Sequence, residues 1–132
     1  MKSLQAHTEL FVPPQRVYQA WLSTSDMGLI TGAPAVIEPW VGGVYSLYGG
    51  AVTGQFVFLK QDEVIAQTWR TEDFEQRDED SRLELRLTPS AAGCRLQVTQ
   101  THIPPRSHQQ FIHAWTKVVL PGLKAWAAPT LH

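Results

Sequence analysis

At 132 residues the chain has the length of one domain, 1–132, large enough to bury ~65–70% of its unfolded surface. Its net charge is −1, and the 11 Lys and Arg residues are scattered from Lys2 to Lys124, which leaves no basic stripe for a nucleic acid. The lone cysteine, Cys94, excludes an intrachain disulfide and a multi-cysteine metal site, while the polar–apolar alternation of Met1 to His7 carries no signal peptide or membrane span, so the cytoplasm is the expected compartment.

Residues 3–12 alternate toward a strand that Pro13-Pro14 stops, and proline suits a first helical turn, where its missing N–H has no partner to lose. Val17, Tyr18, Trp21 and Leu22 recur at helical spacing and predict an amphipathic helix. Thr24-Ser25-Asp26 supplies a capping oxygen for a second short helix ending near Gly32. Strands are predicted next at 35–40, 44–48, 52–60, 64–74 and 82–88, and again from Cys94 onward. Gly42-Gly43, Gly49-Gly50, Gln61-Asp62-Glu63 and Pro89 to Gly93 mark turns between them. Leu83, Leu85 and Leu87 face opposite to Arg82, Glu84 and Arg86; Cys94, Leu96 and Val98 repeat the pattern, which reads Cys94 as a small buried hydrophobe.

Seven of the twelve acidic residues lie between Glu72 and Glu84, a stretch that reads as a solvated hairpin loop without calcium-ligand spacing. After Pro104-Pro105 the chain turns helical, with Ser107 and Gln110 spaced as a capping box. Phe111, Trp115, Val118, Val119, Leu123 and Trp126 form one apolar face. Pro121 lies inside this helix, where the ring and the missing donor predict a kink near Val118.

Strand, two short helices, a run of strands and a long helix make an α+β order. It predicts a curved six- to seven-stranded antiparallel sheet wrapped around the C-terminal helix. With Val17-Tyr18-Gln19-Ala20-Trp21-Leu22, Thr31-Gly32, Gly42-Gly43-Val44-Tyr45, Gly49, Val52, Gly54, Phe56, Ile65, Trp69-Arg70, Pro104 and Trp115, this order resembles the helix-grip superfamily of START and pollen-allergen-like domains (SRPBCC). Within it the chain is similar to the branch named for the C-terminal domain of the activator of Hsp90 ATPase. The resemblance covers essentially the whole chain. It implies a space between sheet and C-terminal helix that commonly holds a ligand, and an Hsp90-type chaperone as a partner.

Strand alternation aligns Ile65, Gln67 and Trp69, and likewise Leu96, Val98, Gln100 and His102. If these faces point inward, Gln67, Gln100 and His102 either orient a ligand or satisfy one another at the strand ends. Tyr45, Phe56, Phe58, Trp69, Phe111, Trp115 and Val118 complete the candidate ligand-binding set, with plain core packing as the competing reading. Trp40 and Trp126 are candidates for an exposed contact surface. Glu38 and His102 are the weak candidates for an acid–base role, because no serine lies in a nucleophile elbow. His108 and His113, five residues apart on a helix, diverge by ~140°, so no metal site is expected, and no cofactor motif is present.

Three functions compete: a non-catalytic binding protein for a small hydrophobic or aromatic ligand; an Hsp90-type co-chaperone or stress-related interaction domain; and a small cyclase- or hydrolase-like enzyme using the same cavity. A homodimer through an edge strand or an exposed tryptophan is left open.

Overall fold

The computed structural model describes residues 1–129. Seven strands, β1 (Lys2–Leu10), β2 (Val36–Ile37), β3 (Val44–Leu47), β4 (Val52–Lys60), β5 (Val64–Thr71), β6 (Ser81–Pro89) and β7 (Cys94–Ile103), form one antiparallel sheet. Their spatial order is β1-β7-β6-β5-β4-β3-β2, so consecutive hairpins build the sheet and β1 returns to its far edge against β7. Helices α1 (Pro14–Trp21) and α2 (Thr24–Thr31) follow β1. The long C-terminal helix comprises α3 (His108–Ala114), a π-helical turn at Trp115–Val119, and α4 (Leu120–Ala127). This is the expected helix-grip arrangement.

The core lies between the inner sheet face and these helices. Ile65, Trp69, Leu83, Leu85, Leu96 and Val98 from the strands meet Trp21, Met27, Phe111, Trp115, Val119 and Leu123 from the helices. Two glycines permit the closest approaches. Tyr45 pairs with Gly54, where a Cβ would sit 2.2 Å from the Thr68 carbonyl oxygen and 2.8 Å from the Tyr45 ring. Gly122 lets α4 approach α2, since a Cβ there would meet the Ile30 carbonyl oxygen at 2.8 Å.

Several local expectations change. The strand expected over 35–40 shortens to Val36–Ile37, because Glu38 to Gly43 folds into turns in which Trp40 donates to the Glu38 carbonyl and Gly43 to that of Trp40. The cap of α2 is Ser23, one residue before the expected segment; its oxygen accepts from the Asp26 N–H at 3.1 Å. Ser107 does not cap the last helix, because its hydroxyl donates instead to Asp73 at 3.1 Å. The kink expected from Pro121 takes the form of the π-helical turn at Trp115–Val119. Widening that turn relieves the clash of the proline ring with the preceding turn and bonds the Leu120 N–H to the Trp115 carbonyl.

Candidate functional site

The interior is filled by an aromatic row. Trp21 stacks on Trp115 with ring centroids 6.4 Å apart, Trp115 meets Trp69 at 5.5 Å, Trp69 meets Tyr45 at 6.3 Å, and Tyr45 meets Phe56 at 5.4 Å. The two amides expected among them are there, and the indoles hold them. Trp21 Nε1 donates to Gln67 Oε1 at 2.8 Å, and Trp115 Nε1 donates to Gln100 Oε1 at 2.8 Å. Gln100 Nε2 then donates to the Ser81 hydroxyl, which donates to the Trp69 carbonyl. Gln100 is 0% exposed and fully used; Gln67 is 2% exposed and its Nε2 lacks a partner. The Tyr45 hydroxyl donates to the Thr68 carbonyl at 2.6 Å, and burial raises its pKa above the ordinary phenol range. A buried group whose partner is a fixed side chain is not free to orient a ligand.

Beside this row, between the sheet and the C-terminal helix, lies a cleft of about 210 Å³. Four of the residues named from the sequence, Trp69, Phe111, Trp115 and Val118, line it, with Val118 47% exposed at its rim. Tyr48, Val52, Thr71, Gln110, Ala114 and Val119 complete the wall. Ala114 was legible from its helical spacing to Phe111 and Val118; Tyr48 was not, because it sits at φ 55° in a short turn outside any periodic pattern. Tyr45, Phe56, Gln67 and Gln100 lie behind the cleft in the packed interior. Among the described residues the wall carries no carboxylate, imidazole, amine or thiol. Of its two hydroxyls, Thr71 is engaged by Asp73, and burial raises the pKa of Tyr48.

Two candidates point away from the interior. His102 is exposed because it takes φ 60°, a left-handed conformation that breaks the alternation of β7 and turns Ile103 inward in its place. Its Nδ1 lies 3.1 Å from the Thr101 hydroxyl. Phe58 is 52% exposed: an irregularity at Val57 shifts the register so that Phe58 pairs with Ala66 on the outer face, while Phe56 pairs with inward Gln67. Glu38 likewise sits outside the cleft, where Oε1 accepts from the Val44 N–H at 2.9 Å and closes the turn before β3. Neither acid–base candidate therefore reaches the space it was to serve. Cys94 is fully buried as expected, and burial pushes its thiol pKa up.

The acidic segment between β5 and β6 is more than a solvated hairpin. Phe74 is buried and stacks on Phe111 with centroids 5.9 Å apart, and the Arg70 guanidinium lies 5.4 Å from the Phe74 ring centroid. Arg70 donates to the carbonyls of Glu75 and Asp78, and Arg106 pairs with Asp78. The Glu75 N–H, foremost, and Arg106 hold the Asp78 carboxyl below its usual range. The sequence missed this because Phe74 is one apolar residue among charges, and both arginines bind from other elements.

The outer surface carries the other notable feature. Trp40, 57% exposed, Val41, Val44, Val57 and Phe58 gather at one end of the β3–β4 pair. Hydrogen bonds from Gly42 N–H to the Phe56 carbonyl and from Phe56 N–H to the Gly43 carbonyl lay the 40–43 turn alongside them. Trp126 is only partly exposed and is covered by Arg16, whose guanidinium lies 4.8 Å from its ring centroid. Among the described residues no helix is long and apolar enough to cross a membrane, and no cluster of three potential metal ligands forms.

Comparison with known proteins places this geometry. The chain is 25% identical over 126 residues to an activator of 90 kDa heat shock protein ATPase homolog from Dictyostelium discoideum, across 93% of this chain and 32% of that protein. It is 23% identical over 111 residues to the mouse homolog 2 of that activator, across 83% of this chain and 33% of that protein. The chain thus spans about a third of the length of the curated relatives it matches. In fold it is similar to the crystal structure of an HSP90 activator from Plasmodium falciparum, with TM-score 0.86, 22% identity and 95% of each chain covered. It is also similar to the solution structure of the Aha1 dimer from Colwellia psychrerythraea, with TM-score 0.79, 12% identity and 96% of each chain covered. The family model for Activator of Hsp90 ATPase homolog 1-like protein matches residues 12–128, and the chain belongs to that family.

Proposed function

We propose that this chain is a co-chaperone-like interaction domain that engages an Hsp90-type chaperone through the apolar patch of Trp40, Val41, Val44, Val57 and Phe58. The observation that carries the reading is the contrast between an interior packed with aromatics and exposed aromatics outside: both inward amide oxygens are held by tryptophan N–H groups, while Trp40 and Phe58 stay uncovered. Large exposed apolar side chains gathered on one surface favour a contact role. The names of the relatives supply the occupant.

Titration of the chain against a purified Hsp90-type chaperone tests this. Binding is expected, and replacing both Trp40 and Phe58 by Ala weakens it by about tenfold or more, as for aromatic anchors of an interface. A wild-type chain that does not bind overturns the reading. So does binding that the double variant leaves unchanged. Sedimentation of the chain alone identifies a second copy as the competing occupant if the same variant abolishes self-association.

A second reading, a small apolar or aromatic ligand in the cleft, is supported by its apolar wall of Trp69, Phe111, Trp115 and Val118. Its 210 Å³ falls below the ~300–1,000 Å³ of ordinary ligand pockets, which limits the ligand to roughly one aromatic ring. Native mass spectrometry with denaturing extraction reads it directly: a co-purified apolar molecule supports it, and a ligand retained unchanged by Val118→Trp, which fills the rim, places that ligand elsewhere.

A further inference from the structure

A groove of about 330 Å³ crosses the outer face of the sheet, on the side away from the helices. Its floor is made of small residues in adjacent strands: Ala66 and Thr68 on β5, Thr99 and Thr101 on β7. Register sets them in two rows, with Ala66 opposite Glu84 and Glu84 opposite Thr99, and with Thr68 opposite Arg82 and Arg82 opposite Thr101. Val57 forms one wall and belongs also to the apolar patch, so groove and patch are continuous.

Among the described residues the groove holds one cation, Arg82, and one anion, Glu84, and they differ in their pairing. Glu84 is paired with Arg86 at 2.6 Å, whereas Arg82 is exposed and makes no ion pair among the described residues. The Thr68 oxygen accepts the Gln55 N–H, leaving its hydroxyl proton free to donate, and Thr99 makes no side-chain hydrogen bond among the described residues. A free guanidinium beside donating hydroxyls is a site for a carboxylate.

We infer that this groove takes an extended acidic segment of a partner protein, one carboxylate resting on Arg82 and an apolar side chain on Val57 and Phe58. The spacing follows from the sheet. Strands β4 and β6 are separated by β5, and Arg82 lies two residues along β6 from Glu84, which shares the row of Phe58, so the two subsites stand ~12 Å apart, which an extended chain spans in about four residues. The recognised pattern is an apolar residue four positions from an Asp or Glu, a spacing that keeps both side chains of an extended segment on the face toward the groove. The inference rests on the interaction-domain reading and deepens it by naming the chemistry of the docked segment.

The test is a titration of the ¹⁵N-labelled chain with the acetylated, amidated peptide Gly-Leu-Ser-Gly-Ser-Asp-Gly, alongside the same peptide with Lys in place of Asp. Amide shifts at Ala66, Thr68, Arg82 and Thr99 are expected with the Asp peptide alone. Arg82→Glu should weaken its binding by about tenfold or more, and Arg82→Lys by less, because a lysine keeps the charge but not the fork. Equal binding of the Lys peptide, shifts confined to the cleft around Trp69 and Trp115, or no shifts at all would overturn the inference. Sodium acetate, titrated in parallel, reads the carboxylate subsite alone; acetate matching the peptide in affinity removes the apolar half of the pattern. The full chaperone separates the two proposals. Binding lost in the Trp40 and Phe58 double variant but untouched by Arg82→Glu keeps the chaperone reading and discards the groove, whereas peptide binding without chaperone binding does the reverse.

Discussion

The two faces of the sheet spend the same residue types differently. On the inner face Gln67 and Gln100 are buried against indole N–H groups, and the aromatic row from Trp21 to Phe56 closes over them. On the outer face Gln55, Gln97, Thr99 and Thr101 meet solvent, and Arg82 stands unpaired among the described residues. Desolvation makes the partnered inner polar groups structural, since burial without a partner is costly, and of the two amides only Gln67 Nε2 is left without one. Water removes that demand outside, so outer polar groups are available to a partner.

Deleting one ring on each face gives the largest expected contrast. Trp115→Ala removes a buried stack and leaves Gln100 Oε1 without its donor, and is expected to destabilise the fold by about 3–5 kcal/mol in chemical denaturation. Phe58→Ala, on the outer face, is expected to stay within about 0.5 kcal/mol. Equal losses would break the distinction between a core face and a contact face.

Deleting one amide on each face gives a smaller contrast. Gln100→Ala strands the Trp115 N–H in a dry interior and takes a partner from Ser81, an expected loss of about 1–3 kcal/mol. Gln97→Ala, three residues earlier on the exposed face, should be within about 0.5 kcal/mol.

The smallest expected effect is the response of the 72–80 segment to acid. Asp78 has a folded pKa below the unfolded carboxylate value of about 3.9, so its contribution is complete above that value and is lost as pH falls through the folded pKa. Amide protection factors in residues 72–80, taken relative to the unstructured rate at each pH, should therefore be unchanged from neutrality to about pH 4 and fall below it. Arg106→Gln should lower the protection at neutral pH and shrink its drop in acid, leaving the onset in place. An onset near pH 6 would assign the segment's attachment to a different group.

How much of this was legible is clearest in particular residues. Leu83, Leu85, Leu96 and Val98 declare their face by alternation alone, because side-chain direction in a strand is local and has period two. Phe58 and His102 follow the same alternation in sequence, yet one bulge and one left-handed residue turn them outward. A one-residue slip inverts every later side chain, and nothing local announces it. The pairing of Gln67 with Trp21 spans 46 positions and that of Gln100 with Trp115 spans 15, so the amides were recognisable as buried polar groups but their partners were not.

The sequence by itself determined the element order, the helix-grip architecture and the inward apolar faces, because these follow from periodicity, proline and turn residues along a short stretch of chain. Only the tertiary structure decided which polar groups are held, that aromatics pack the interior, and that the cation without an ion pair among the described residues shares the outer side of the sheet with Phe58. Those outcomes depend on strand register and on contacts between residues distant in the chain, and neither is encoded in any one segment.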